Sequence, residues 1–160
     1  MSRSVFVDTS GWFAAASARE TRHPEAAAVY DDLVRRRVLL VTTNLVVAEL
    51  HTLVVRERGA PAGCALLDAV YSDPLYRVIS VTRDLESAAV DRWLRPYKDH
   101  RFSLTDAVSF EVMRGERIEQ ALALDRHFEV AGFRVLPLPR PASRQQKNKD
   151  RPRRGAGKPR

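Results

Sequence analysis

Residues 4–17, SVFVDTSGWFAAAS, set the pattern for the whole chain. SVFV (4–7) is an apolar run of buried-strand length, Asp8 ends it, and GWFAAAS (11–17) begins a helix. The same alternation recurs downstream. HPEAAAVYDDLVRRR (23–37) is a helix with Pro24 near its first turn. VLLVTT (38–43) is a second apolar strand. Residues 44–58 follow as a helix with apolar side chains on nearly every face, which predicts burial. APAGCALLDAVYS (60–72) is a helix stopped at Asp73-Pro74, and YRVISV (76–81) is a third strand. Thr82 caps a helix running to about Tyr97, interrupted near its end by Pro96. Thr105 to Arg114 is helical and Gly115 ends it. QALALD (120–125) is strand four, RHFEVAG (126–132) a short helix, and FRVLPL (133–138) strand five. Short apolar strands separated by helices predict an α/β fold with a mainly parallel sheet covered on both faces.

At 160 residues the chain suits one domain with a substantial core. Its net charge of +7 is unevenly divided. Residues 140–160 hold nine Lys/Arg against one Asp, or +8, whereas residues 1–139 hold 18 against 19, or −1. The expected organisation is therefore a folded domain over 1–139 and a basic tail over 140–160. The tail has no large apolar side chain to bury and is expected to be disordered. Such arms bind nucleic acid by counterion release, or simply solubilise the chain. Cys64 is the only cysteine, which excludes an internal disulfide framework and a cysteine-based metal site. No run approaches the roughly 18 apolar residues of a membrane helix. The chain enters VFVDTS almost at once, leaving no room for a secretory signal, so a reducing cytoplasm is the expected location.

Four carboxylates stand out. Asp8 and Asp125 close strands one and four, Asp106 opens a helix in SLTDAVSF, and Glu49 interrupts the apolar helix NLVVAELHTLVV. In an open parallel sheet, ligands bind beyond the carboxyl ends of the strands, where Asp8 and Asp125 are expected. Two charges 4 Å apart repel by about 4 kcal/mol at an effective dielectric near 20. A cluster of this kind persists around cations, and hard oxygen ligands suit Mg²⁺ or Mn²⁺. Each Asp also has a structural role open to it. Asp8 can cap the first helix, Asp125 can cap RHFEVAG, and Ser103 with Asp106 has the spacing of a capping box. Glu49 lies mid-helix, so capping does not account for it; if buried, it needs a partner. His23, His51, His100 and His127 show no ligand spacing and read as surface or packing residues. Asp84, Asp91 and Asp99 read as a solvated face, Trp12 and Phe13 as packing residues, and Arg35, Arg36 and Arg37 as a basic helix end.

VDTSGWFAA, the isolated Glu of VVAEL, SLTDAVSFEVM and ALALDRHFEVAGFRVLPL together resemble the PIN-domain ribonucleases, in particular the VapC-type toxins of bacterial toxin–antitoxin modules. The likeness covers about residues 4–138. It implies a three-layer α/β/α sandwich around a five-stranded parallel sheet, matching the strand count above. It also implies metal-dependent hydrolysis of RNA phosphodiesters, leaving 5′-phosphate and 3′-hydroxyl ends. Asp8, Glu49, Asp106 and Asp125 would hold one or two Mg²⁺ or Mn²⁺ ions. Thr9, Ser10 and Thr105 match the family's small hydroxyl residues, which would bond a carboxylate or the scissile phosphate; local capping is the alternative for Ser10 and Thr105. The family further implies a homodimer and an antitoxin docking near the acidic pocket. Two other functions compete. An aspartyl-nucleophile phosphatase wants a second Asp two residues after the first, where this chain has Ser10. A catalytically idle RNA-binding or assembly module has no use for four intact acids.

Overall fold

The structure, a computed structural model, describes residues 4–137. The expected basic tail and the boundary at 139 lie outside them. Five strands, β1 (Ser4–Val7), β2 (Leu39–Thr43), β3 (Tyr76–Ile79), β4 (Gln120–Leu122) and β5 (Arg134–Leu136), form one sheet. Its order is β3-β2-β1-β4-β5, and every pairing is parallel. The helices are α1 (Thr9–Ala16), α2 (His23–Arg35), α3 (Asn44–Arg58), α4 (Ala60–Ser72), α5 (Arg83–Ala89), α6 (Leu104–Gly115) and α7 (His127–Val130). This is the three-layer arrangement expected from the sequence.

The layers follow from side-chain alternation along the strands. Val5 and Val7 of β1 point with Leu40 and Leu122 into a core roofed by Trp12, Leu33 and Val70 of α1, α2 and α4. Phe6, Val41 and Ala121 point the other way, toward Ala89, Val108, Phe110 and Phe128 of α5, α6 and α7. Phe6, Phe110 and Phe128 are fully buried, each contributing about 1.5–3 kcal/mol by leaving water. Gly11 lets α1 approach β4: a Cβ at that position would stand 2.3 Å from the Leu122 carbonyl oxygen.

Four expectations need correction. First, strands three and four are shorter than expected. β4 ends at Leu122 because the Leu124 N–H donates to Ser10 Oγ (3.0 Å) and leaves the ladder, so Asp125 sits in the loop beyond the strand. Second, α3 buries chiefly Val46, Val47 and Leu50, and Glu49 is exposed. Composition around the helix overstated its burial: α4 and the sheet cover only part of its circumference. Third, the helix after Thr82 changes character, with a π turn over Val90–Leu94 in which the Arg95 N–H reaches the Val90 carbonyl (3.0 Å). Fourth, α6 starts at Leu104 and retains Gly115 within its last turn.

Candidate active site

The chain runs from β1 outward through β2 to β3 on one side, then returns to place β4 on the other flank of β1. The carboxyl ends of β1 and β4 are thus the topological switch point, where loops diverge and open a crevice. Asp8 follows β1 directly and its N–H donates to the Leu122 carbonyl (3.0 Å). As N-cap of α1, its Oδ2 accepts from Ser10 N–H (3.0 Å) and Ser10 Oγ–H (2.6 Å). Ser10 Oγ accepts from Leu124, so one hydroxyl ties the β1 exit to the loop carrying Asp125. Asp8 is only 6% exposed. Burial pushes its pKa up to about 6; the Ser10 hydrogen bonds oppose the rise and the Asp106 carboxylate adds to it.

Asp106 enters from α6. The capping box anticipated from Ser103 is present: Ser103 Oγ accepts the Asp106 N–H (3.0 Å), and Asp106 Oδ2 accepts the Ser103 N–H (2.7 Å). The same Oδ2 stands 3.1 Å from His127 Nδ1. Asp125 Oδ1 accepts the His127 N–H (2.9 Å), and its Oδ2 lies 3.4 Å from Nδ1. One ligand atom from each of Asp106, Asp125 and His127 fits within 4.8 Å of the others. Glu49 joins through two hydroxyls, Thr9 Oγ1 donating to its Oε2 (2.8 Å) and Thr105 Oγ1 to its Oε1 (2.6 Å). Those threonines adjoin Asp8 and Asp106 in sequence, so Glu49 spans the two walls of the crevice.

Capping and convergence therefore coexist here: Asp8 and Asp106 start helices and also face the crevice. His127 is the residue that sequence reasoning missed. Its only signal is the Asp125-x-His127 spacing, which turns the ring back over the carboxylate through the Asp125–His127 backbone bond. His23 does pack, with Nδ1 2.8 Å from the Ala14 carbonyl oxygen. Asp84, Asp91 and Asp99 are exposed and Trp12 is buried, as expected. A concavity of about 650 Å³ lies elsewhere, around the amino ends of β1, β4 and β5, lined by Val5, Leu33, Gln120 and Arg134. Chemistry, and not cavity size, marks the crevice.

The donor set fits a hard divalent cation. Two carboxylates and an imidazole converge, Glu49 is tied to the same crevice through Thr9 and Thr105, Asp8 is buried with a raised pKa, and among the described residues no Lys or Arg pairs with any of the four acids. Hard oxygen donors with an accompanying imidazole suit Mg²⁺ or Mn²⁺.

The fold and this crevice define a class. The chain belongs to the PIN-domain family, whose model matches residues 5–134. Over 129 residues it is 37% identical to the 23S rRNA-specific endonuclease VapC20 of Mycobacterium tuberculosis (strain CDC 1551 / Oshkosh), spanning 81% of this chain and 95% of that relative. It is also similar to the crystal structure of Mycobacterium tuberculosis VapC20, described as a sarcin-ricin loop cleaving toxin. That match has a TM-score of 0.72 and 38% identity, covering 81% of this chain and 96% of the other. The FitAcB structure from Neisseria gonorrhoeae shares the fold at 14% identity, with a TM-score of 0.61 over 82% of this chain and 95% of that one.

Proposed function

We propose that this PIN-domain chain is a divalent-metal-dependent endoribonuclease, the toxin of a toxin–antitoxin pair. The observation that carries the reading is the meeting of four acids, from four separate stretches of chain, at the switch point with no Lys or Arg paired to them among the described residues. Asp8, Glu49, Asp106 and Asp125 would hold one or two Mg²⁺ or Mn²⁺ ions, with His127 as a further donor or as the group that aligns Asp106 and Asp125. A divalent ion held there supplies charge neutralisation for the phosphodiester and lowers the pKa of water.

The remaining work falls to the chain itself. Ser10 holds the Asp8 carboxylate in one orientation through two donors, and Thr9 and Thr105 do the same for Glu49. Preorganised ligands do not have to be ordered when the substrate arrives. Asp8 is mostly ionised at neutral pH, so cation affinity rises as pH climbs through about 6. The substrate is RNA, and the 37% identity to a 23S rRNA-specific endonuclease makes ribosomal RNA the first candidate. A protein antitoxin would cover the acidic crevice, the active form would be a homodimer, and the compartment is the cytoplasm. Among the described residues no helix is long and apolar enough to cross a membrane. The folded nuclease domain would span 1–139, with 140–160 as a separate basic arm for RNA.

Sequencing RNA ends after controlled expression of wild type and Asp8→Asn tests activity, product chemistry and target together. Wild type should yield discrete new 5′-phosphate ends that Asp8→Asn lacks. Identical end profiles in the two strains refute the assignment.

A further inference from the structure

Between the π turn and α6 the chain reads RPYKDHRFS (95–103), in which rings and cations interleave with one exposed carboxylate, Asp99, among them. The fold uses only part of this segment. Trp93 is buried and donates Nε1–H to Glu111 (3.0 Å), and Phe102 packs edge-on against Phe110 at 5.2 Å. Tyr97 and His100, by contrast, are exposed residues, Tyr97 at 36%. Lys98 and Arg101 are exposed, and among the described residues neither has an ion-pair partner.

The rings are nonetheless held in place. Tyr97 stacks on Trp93 (6.0 Å, 25°), and the His100 N–H donates to the Tyr97 carbonyl (3.0 Å), closing a turn that carries both rings. His100 lies flat on Phe102 (5.2 Å, 11°). Tyr97 also meets His100 (5.9 Å, 46°) and Phe102 (5.7 Å, 44°), so the three rings form one cluster in which His100 is exposed. Phe102 in turn meets His127 edge-on at 5.3 Å, and His127 Nδ1 is the group 3.1 Å from Asp106. His100 is therefore two ring contacts from the acidic crevice, on a segment that leads within a few residues to Thr105 and Asp106.

Exposed rings fixed from behind, alternating with unpaired cations, are what single-stranded nucleic acid binds: bases stack on the rings and phosphates meet the charges. We propose that residues 95–102 form a base-stacking platform. Tyr97 and His100 receive an unstacked nucleobase of single-stranded RNA, Lys98 and Arg101 contact the flanking phosphates, and the docked base selects which phosphodiester reaches the crevice. The inference rests on the ribonuclease reading and adds to it a subsite, on residues 95–102, for an unpaired base beside the scissile phosphodiester.

The test uses the full chain carrying Asp8→Asn, which prevents turnover, and a labelled pool of random-sequence single-stranded 12-nucleotide RNA read by fluorescence anisotropy. Tyr97→Ala and His100→Ala should each raise Kd about 5- to 100-fold. Tyr97→Phe and His100→Trp, which keep a ring, should restore binding to within about threefold. Lys98→Ala and Arg101→Ala should each reduce the salt slope by about 0.7. Circular dichroism and thermal unfolding establish that each variant is folded. An unchanged Kd in folded His100→Ala and Tyr97→Ala overturns the platform even if the wild-type chain cleaves RNA with Mn²⁺. A wild-type chain that neither binds nor cleaves RNA overturns the ribonuclease reading, and the platform with it.

Discussion

Replacing Asp8 by Asn should stabilise the metal-free protein at alkaline pH while removing its activity. The carboxylate is buried against the β1–β4 junction, and burial raises its pKa from 3.8 to about 6. Because the folded-state pKa exceeds the unfolded one, Asp8 favours the fold fully only below about pH 4. That contribution is lost as pH rises through about 6. A shift of roughly two units at 1.36 kcal/mol each makes the ionised carboxylate cost about 3 kcal/mol. Asn removes the charge, and its Oδ1 can still accept from Ser10 N–H and Oγ–H. Thermal or urea unfolding in EDTA, at pH values from 4 to 8, measures the difference. Asp8→Asn should match wild type near pH 4 and exceed it by about 3 kcal/mol at pH 8, or roughly 6–12 °C in Tm for a domain of this size. Added Mn²⁺ should raise wild-type Tm and leave the variant nearly unmoved. A variant no more stable than wild type at pH 8 in EDTA refutes the claim that Asp8 is held charged against the fold.

Glu49→Gln should cut cleavage at least about 100-fold with a Tm change worth under about 0.5 kcal/mol, because the side chain is exposed and its loss leaves no buried gap; initial-rate assays beside unfolding curves decide it. Gly11→Ala should lower stability by about 1–3 kcal/mol or more and reduce activity together, since its Cβ meets the Leu122 carbonyl at 2.3 Å. A Tm equal to wild type would show that α1 can slide away from β4. Deleting 140–160 should flatten the salt dependence of RNA binding, by at most about 6 in slope for nine cations at about 0.7 each. An unchanged slope makes the tail a bystander.

The parallel sheet is legible because its signal is local: four or five apolar residues, a polar stop, then a helix. Strand ends are less so. β4 stops where it does because Leu124 bonds a serine hydroxyl 114 residues away, a contact no window of sequence contains. The three aspartates are legible by position, each at an element boundary. Glu49 was singled out for the wrong physical reason: it is exposed and partnered by hydroxyls, not buried and in need of rescue. His127 escaped because a ligand-like histidine is recognised by its spacing to other ligands, and here the partner carboxylate arrives from α6. The π turn at Val90–Leu94 has no composition of its own; it is visible only in the hydrogen bond it makes.

The order of strands has a consequence for how the protein is made. β1 is made well before β4, yet one of its two neighbours, and the carbonyl that receives the Asp8 amide, belongs to that strand more than a hundred residues later. A nascent chain halted between α1 and β4 carries Asp8, lacks Asp125 and His127, and lacks the strand against which Gly11 sits. Under the ribonuclease reading, a chain synthesised beside ribosomal RNA stays harmless at least until β4 and the loop after it have been made. Products terminated before Asp125 are then inert by construction, and an inhibitor is needed only once that loop has emerged.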